Sequence, residues 1–404
     1  MRANNAWVKG QNITLVLNLV REMRSISRAE ISKKTGLSRS TVSQVINRLL
    51  EAGIIEETGS GESIGGRRPI ILRIRPEGRW VCAAHVDDNG QIHMRVEDLI
   101  GNEVKRSSGL VKKPDELVPV LTNMIKDLSG KELNRIVCIT LALPGIISLD
   151  GCILSAVNLG WKSVPVGSQL TKNINIPVLA ENATGLAAYG ELDIRAINSK
   201  NLVYVRIESA VGAGIVTDHK LYHGLRGSEV EIGHMVVDME GKPCKCGRKG
   251  CLETRVSRAA VCEILTDICK VKSLEAPDID ENNIFEWLVA QDNEENLLAQ
   301  GILKTVARNI SVAIVNVLNL MGADTIVIQS KLCDSKTFWM ELNQLVFKEV
   351  LPFARGGFEI MRSISGEDAI LQGATAYARQ YFFEKVCYKS LLSAESADAK
   401  EVDQ

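Results

Sequence analysis

Near residue 80 the hydrophobic pattern of this chain changes period, and no single fold accommodates both halves. Upstream, apolar residues recur at helical spacing in short stretches. Downstream, strand-like runs alternate with helical ones. That change requires a small helical module followed by an α/β body. At 404 residues, 45% of them hydrophobic, the chain has the length for two or three domains with sizeable cores and is not a disordered polymer. Its start, MRANNAWVKGQ, lacks a basic-then-apolar signal pattern, and apolar runs such as ITLVLNLV at 13–20 fall short of a bilayer span, so no membrane role and a cytoplasmic location are expected.

The first module is read over residues 1–75. NITLVLNLVREM at 12–23 places Ile13, Val16, Leu17, Leu19 and Val20 on one helical stripe. Ser27, with Glu30 three positions on, opens a second helix as a capping box, and Gly36 closes it. A third helix follows from Ser38. It buries Val42, Val45, Ile46 and Leu49 and turns Arg39, Ser40, Thr41, Ser43, Gln44, Asn47 and Arg48 outward. These short hydrogen-bonding and cationic groups reach base edges and phosphates from a helix in a major groove. Two strand-like runs, IIEE and IILRIR, flank TGSGESIGGRRP, which reads as a wing with Arg67 and Arg68 near its tip.

The expectation is a winged helix-turn-helix that binds double-stranded operator DNA. Charge agrees: residues 1–75 carry 13 Lys and Arg against 6 Asp and Glu, a net +7, which leaves −8 for the rest of a chain whose total is −1. A three-helix bundle making protein contacts, its polar face merely solvated, is the plainer alternative. The tight turn, polar third helix, basic wing and local charge weigh against it together.

The body is read over 76–388, with a lobe boundary near 190 and a polar tail at 389–404. Strand-like runs fall at 81–87, 136–145, 176–182, 201–207 and 325–330, and helical patterns near 115–128, 183–192, 296–320 and 367–385. Of ten cysteines, seven (Cys82, Cys138, Cys152, Cys262, Cys269, Cys333, Cys387) sit singly in apolar segments, where free cysteine behaves as a small hydrophobe. The other three, Cys244, Cys246 and Cys251, form a C-x-C-x4-C array with His234 ten positions before it. That set suits tetrahedral zinc. Four protein ligands leave no place for a water, so the expected role is structural rather than catalytic. The glycine-rich loop is poor in apolar surface, and metal bonds could supply its order. Three free thiols in a turn are the plainer alternative.

GLSRSTVSQVINRLLEAGIIEETGSGESIGGRRP, LPG at 143–145, EN at 181–182, EIGH at 231–234 and CKCGRKGCLE at 244–253 resemble, in order, the repressor branch of the ROK family. The resemblance runs from about residue 10 to about 385. It implies an actin-like, ribonuclease H-like, two-lobed sugar-kinase fold behind the winged helix, with a sugar or sugar phosphate held between lobes. It also implies a homodimer or tetramer on near-palindromic operators. The domain order motivates the further expectation that ligand changes the lobe angle and hence the spacing of two winged helices. Carried over residue by residue, it makes Gly145, Asn182, Glu231, His234 and Glu253 the candidate ligand contacts.

The same resemblance sets out what a kinase would need. The first phosphate turn, Asp-x-Gly-Gly-Thr in ROK kinases, is here Asp87, Asp88, Asn89, Gly90 and Gln91. The second keeps Gly212 and Gly214 but has Glu208, Ser209 and Ala210 where glycine and threonine are usual, and the adenosine-side turn, TIVIQSKLCD, has no glycine. The base would be the aspartate after the motif asparagine. Ala183 stands there, and a methyl group accepts no proton. The chain is therefore read as no enzyme. Its rivals are an ATP-dependent sugar kinase and an operator-binding repressor governed by a partner protein, with a vestigial sugar site.

Overall fold

The computed structural model describes residues 5–60, 69–195, 199–224 and 230–387. Contacts divide the chain into two units. Unit 1 holds residues 1–145, 150–181 and 374–404, and unit 2 holds 146–149 and 182–373.

Unit 1 begins with α1 (Asn5–Met23), which starts seven residues earlier than its apolar stripe indicated. After β1 (Ile26–Ser27), α2 (Arg28–Thr35) is entered through the expected capping box of Ser27 and Glu30 and left through Gly36 at φ +70°. Next comes α3 (Arg39–Glu51), capped by Ser38, whose hydroxyl accepts from Thr41 N at 3.1 Å. Such a cap contributes about 1 kcal/mol. The wing strands β2 (Ile55–Ser60) and β3 (Ile70–Ile74) pair antiparallel, Ile55 opposite Ile74, and β1 adds to the far side of β3.

The core under these helices has a contributor from the other end of the chain. Ile13, Val16, Leu17, Ile46 and Leu49 form one buried cluster with Phe382, Phe383 and Cys387. Arg21 on α1 donates to Gln380 Oε1 at 2.8 Å and stacks over the Phe383 ring, 4.8 Å from its centroid. Arg379 pairs with Glu97, whose carboxyl burial pushes up against the pull of Arg379 and Arg95. The winged helix thus has its hydrophobic core completed by the C-terminal segment.

The rest of unit 1 is built on a mixed sheet of β4 (Trp80–Val86), β5 (Gln91–Asp98), β6 (Glu103–Leu110), β7 (Ile136–Leu143) and a later strand. Helix α4 (Leu117–Ser129) precedes β7. After β8 (Ile146–Ile147), which is counted with unit 2, β9 (Ile153–Ala156) and β10 (Trp161–Val164) make a small hairpin. Then come α5 (Val166–Ile174) and β11 (Val178–Asn182). The sheet order is β11-β7-β4-β5-β6, with β4–β5 and β5–β6 antiparallel and β4–β7 parallel.

Unit 2 repeats that plan. Helix α6 (Ala183–Arg195) leads to β12 (Asn201–Ile207), β13 (Val211–Thr217) and β14 (Lys220–Leu221). Then follow α7 (Glu253–Val256), α8 (Arg258–Val271), α9 (Ile284–Asn293), α10 (Leu297–Met321), β15 (Thr325–Gln329), α11 (Lys336–Glu349) and β16 (Glu359–Arg362). The order β14-β13-β12-β15-β16 matches unit 1 strand for strand: third, second, first, fourth, fifth. Duplication of one ribonuclease H-like sheet is the two-lobed arrangement expected. By length and composition alone α10 is apolar enough to cross a membrane. Its Ile302, Leu303, Val306, Ile310 and Ile314 are instead buried in the core of unit 2. Helix α12 (Ala369–Tyr381) starts in unit 2 and ends in unit 1, continuing as a short π-helical turn over Phe382–Val386.

Candidate functional sites

On α3 the polar face follows from the periodicity that buries Val42, Val45, Ile46 and Leu49. Arg39, Ser40 and Gln44 are exposed, and Thr41 and Ser43 are half-buried. The Ser40 and Thr41 hydroxyls lie 2.8 and 2.9 Å from the Ser38 hydroxyl, so part of their hydrogen-bonding capacity serves the cap. Asn47, also exposed, accepts from Arg28 Nη1 at 2.9 Å, tying α3 to α2. Arg67 and Arg68 lie outside the described residues.

The four candidate metal ligands come together in the structure. His234, Cys244, Cys246 and Cys251 bring their ligand atoms within 4.8 Å of one another. Cys244 Sγ lies 3.6 Å from His234 Nδ1, and Cys246 Sγ lies 3.6 Å from Cys251 Sγ. Three thiols and one imidazole nitrogen form a donor set that fits zinc and closes its tetrahedral shell. Hydrogen bonding to Arg248 lowers the Cys246 thiol to about 6, while burial and the neighbouring thiols push Cys251 up to about 12. Short bridges, Val236 to Cys251 and Pro243 to Lys249, are the loop's regular pairing. So small a loop buries little apolar surface, and a bound metal would supply its order.

With Nδ1 turned to the sulfurs, His234 points Nε2 toward Glu231 Oε2, 4.0 Å away. Arg248 Nη2 donates to the His234 carbonyl at 3.0 Å. The turn that carries Ile232 to His234 lies flush on β13, where a Cβ at Gly233 would overlap the Val211 carbonyl. The N–H of Val211 donates to Glu253 Oε2 at 3.0 Å. Asn182 caps α6, its Oδ1 accepting from Thr184 N at 2.8 Å and Gly185 N at 3.2 Å. Thr184 in turn abuts Gly212. Asn182, Glu231, His234 and Glu253 are thereby gathered around the start of β13, all in unit 2. Gly145 belongs to unit 1, at φ +81° and backed by the Ser155 carbonyl, a conformation and a fit that call for glycine.

Several side chains at the positions a kinase would use have internal partners. Asp87 Oδ1 accepts from Asn89 N and Gln91 N, both at 2.8 Å, so the β4–β5 hairpin closes on its own carboxylate. Gly214 serves packing: a Cβ there would fall 2.5 Å from the Thr184 carbonyl and 2.7 Å from Gly185 Cα, where α6 crosses β13. Glu208 is held by Arg258 Nε at 2.7 Å, and Arg258 also grips Glu286 at 2.8 and 3.0 Å. After β15, the Ser330 hydroxyl accepts from Leu332 N and Lys331 pairs with Asp334 at 2.6 Å. Ala183, in the first turn of α6, is buried and offers no carboxylate. The Arg258 network escaped sequence reasoning because its bonded members lie 24 to 123 positions apart in sequence. Only the unexpected glutamate at 208 signalled it.

Comparison with known proteins agrees with this construction. Residues 86–381 match the ROK family model, and residues 12–56 match a winged helix-turn-helix DNA-binding model. The xylose repressor of Bacillus subtilis is 28% identical over 395 residues, covering 95% of this chain and 99% of that protein. A glucokinase of Halalkalibacterium halodurans is 31% identical over 319 residues, covering 75% of this chain and 96% of that one. Among solved structures, a ROK family transcriptional regulator described as a homolog of the Escherichia coli MLC protein superposes with a TM-score of 0.82 at 23% identity, covering 96% of this chain and 99% of that one. With its duplicated sheet, its Cys3His cluster and the winged helix ahead of them, the chain belongs to the ROK family.

Proposed function

We propose that the protein is a DNA-binding transcriptional repressor of carbohydrate-utilisation genes, governed by a sugar or sugar phosphate and lacking kinase activity. What carries the reading is the pairing, in one chain, of a winged helix bearing a polar recognition face with a ROK domain whose base position is Ala183. Similarity to a xylose repressor over nearly its full length supports the same assignment.

In this reading Arg39, Ser40, Thr41, Ser43 and Gln44 meet base edges and phosphates of near-palindromic operator DNA, with Arg67 and Arg68 on the wing contacting the backbone. Two-fold operators call for a homodimer or tetramer acting in the cytoplasm. Gly145, Asn182, Glu231, His234 and Glu253 contact the ligand. Zinc on His234, Cys244, Cys246 and Cys251 holds His234 and Glu253 in place, supplying order and no chemistry. Ligand binding shifts the population of operator-competent molecules.

Two experiments test this. Selection of duplexes from a random pool by the purified protein should converge on a near-palindrome. Incubation with ATP, Mg²⁺ and D-glucose or D-xylose should yield no sugar phosphate. A pool that stays random, or sugar-dependent ATP consumption above a protein-free control, would overturn the assignment.

A further inference from the structure

The geometry points to Glu208 and Arg258 as positioning residues that set the Glu253 carboxylate by clamping the β12–β13 turn. Strand β12 ends at Ile207 and β13 begins at Val211. The three residues between them close on themselves, Glu208 N donating to Ala210 O at 3.0 Å. One tandem segment grips both ends of this turn. Glu253, which opens α7, accepts from Val211 N at 3.0 Å. Five residues later Arg258, which opens α8, donates its N–H to the Glu208 carbonyl at 3.1 Å and its Nε to Glu208 Oε2 at 2.7 Å.

The clamp is anchored in the interior. The Arg258 side chain is 11% exposed and that of Glu208 20%. Arg258 also donates to the Asn282 carbonyl at 2.6 Å, takes both carboxylate oxygens of Glu286, and stacks over Phe285 at 4.5 Å. Glu208 Oε1 accepts from Gln329 Nε2 at 3.4 Å, and Gln329 Oε1 accepts from Arg206 Nε at 3.2 Å. A guanidinium this enclosed stays charged and paired, with Glu286 and Glu208 holding it above its ordinary range against the opposing effect of burial. The turn is therefore rigid without an external anion. Glutamate at 208, which disqualifies the turn for phosphate, is what ties it down.

Val211 N is the donor that orients Glu253, and it sits on the first residue after the clamped turn. With Oε2 committed to that N–H, Oε1 is, among the described residues, the oxygen left to accept from a ligand hydroxyl. In the ligand-binding reading above, on which this consequence rests, loosening the turn misplaces a sugar contact through residues that never touch sugar.

The test uses full-length, zinc-loaded protein and the variants Glu208→Ala, Glu208→Gln and Arg258→Lys. Glu286 still pairs Arg258 when Glu208 is shortened, which keeps the first two folded. Zinc content, amide exchange at Val211 and titration with D-xylose and D-glucose are measured. Glu208→Ala should keep its zinc, exchange Val211 faster, and bind whichever sugar the wild type binds about tenfold more weakly. Glu208→Gln, which retains an acceptor for Arg258, should recover most of that affinity, and Arg258→Lys, which cannot bridge both carboxylates, should not. Unchanged Val211 exchange, or affinity within about twofold of wild type despite faster exchange, would overturn the inference. A wild type that binds neither sugar counts against the ligand assignment, and Val211 exchange then decides the clamp alone: faster exchange upholds it, unchanged exchange overturns it.

Discussion

Replacing Phe383 with alanine should unfold the winged helix while leaving unit 2 intact. Phe383 is 1% exposed in the cluster that also holds Ile13, Val16, Leu17 and Leu49, and it meets the Phe382 ring edge-on at 5.4 Å. Truncating a buried phenylalanine costs about 3–5 kcal/mol, and losing the Arg21 contact adds about 0.5–1 kcal/mol. A module of this size rarely holds more than about 3–5 kcal/mol of its own. The substitution therefore removes roughly all of it, an expected rise of about a thousandfold in the open fraction. Hydrogen exchange followed by mass spectrometry reads this directly. Segments from α1 to α3 should lose protection in Phe383→Ala, segments from β12, β13 and β15 should keep theirs, and operator affinity should collapse. Unchanged protection over α1 to α3 would refute the claim that the C-terminal segment completes that core.

Further outcomes follow from the same structure. Cys246→Ser should lower zinc content and melting temperature together, and a variant retaining both would remove the metal assignment. Gly214→Ala should cost about 1–3 kcal/mol through overpacking against Thr184 and Gly185, read in a denaturant melt, and no change would contradict the close approach of α6 and β13. Acid should destabilise unit 2. Arg258 holds Glu286 below its ordinary 4.5, and hydrogen bonds hold Asp292 and Asp324 below 3.8 despite burial. Carboxylates with depressed folded values contribute stability above their unfolded values and lose it as pH falls through the folded ones. Unfolding free energy should therefore decline below about pH 4.5, and flat stability there would show these bonds to be idle.

Much of this was legible in the sequence, because periodic burial and capping are local. The box of Ser27 and Glu30, the stop at Gly36, the buried stripe of α3 and the strands at 136–143 and 201–207 all lie where short-range pattern places them. The Cys3His cluster was legible for the same reason, since ligand spacing within a short loop fixes the geometry. The hairpin strands β5 and β6 were missed. Strand β6 alternates exposed with half-buried residues and carries no strong apolar signal. Two features escaped because they join distant parts of the chain. Nothing local tells Phe382 and Phe383 to pack beside Ile13, and nothing local tells Arg258 to meet Glu208. Gly212 and Gly214 matched a phosphate-turn motif, yet the structure uses Gly214 to let a helix cross a strand.

The central claim, that a ligand site in a ROK domain governs a DNA-binding winged helix, has one most direct measurement. Fluorescence anisotropy of a selected operator duplex, titrated with the protein at fixed salt, would be repeated under saturating D-xylose, D-glucose and their phosphates. At least one of these should shift the binding midpoint by about tenfold or more, and Glu253→Gln should abolish the shift while leaving ligand-free operator affinity unchanged. Midpoints that coincide across a broad panel of sugars and sugar phosphates would contradict it.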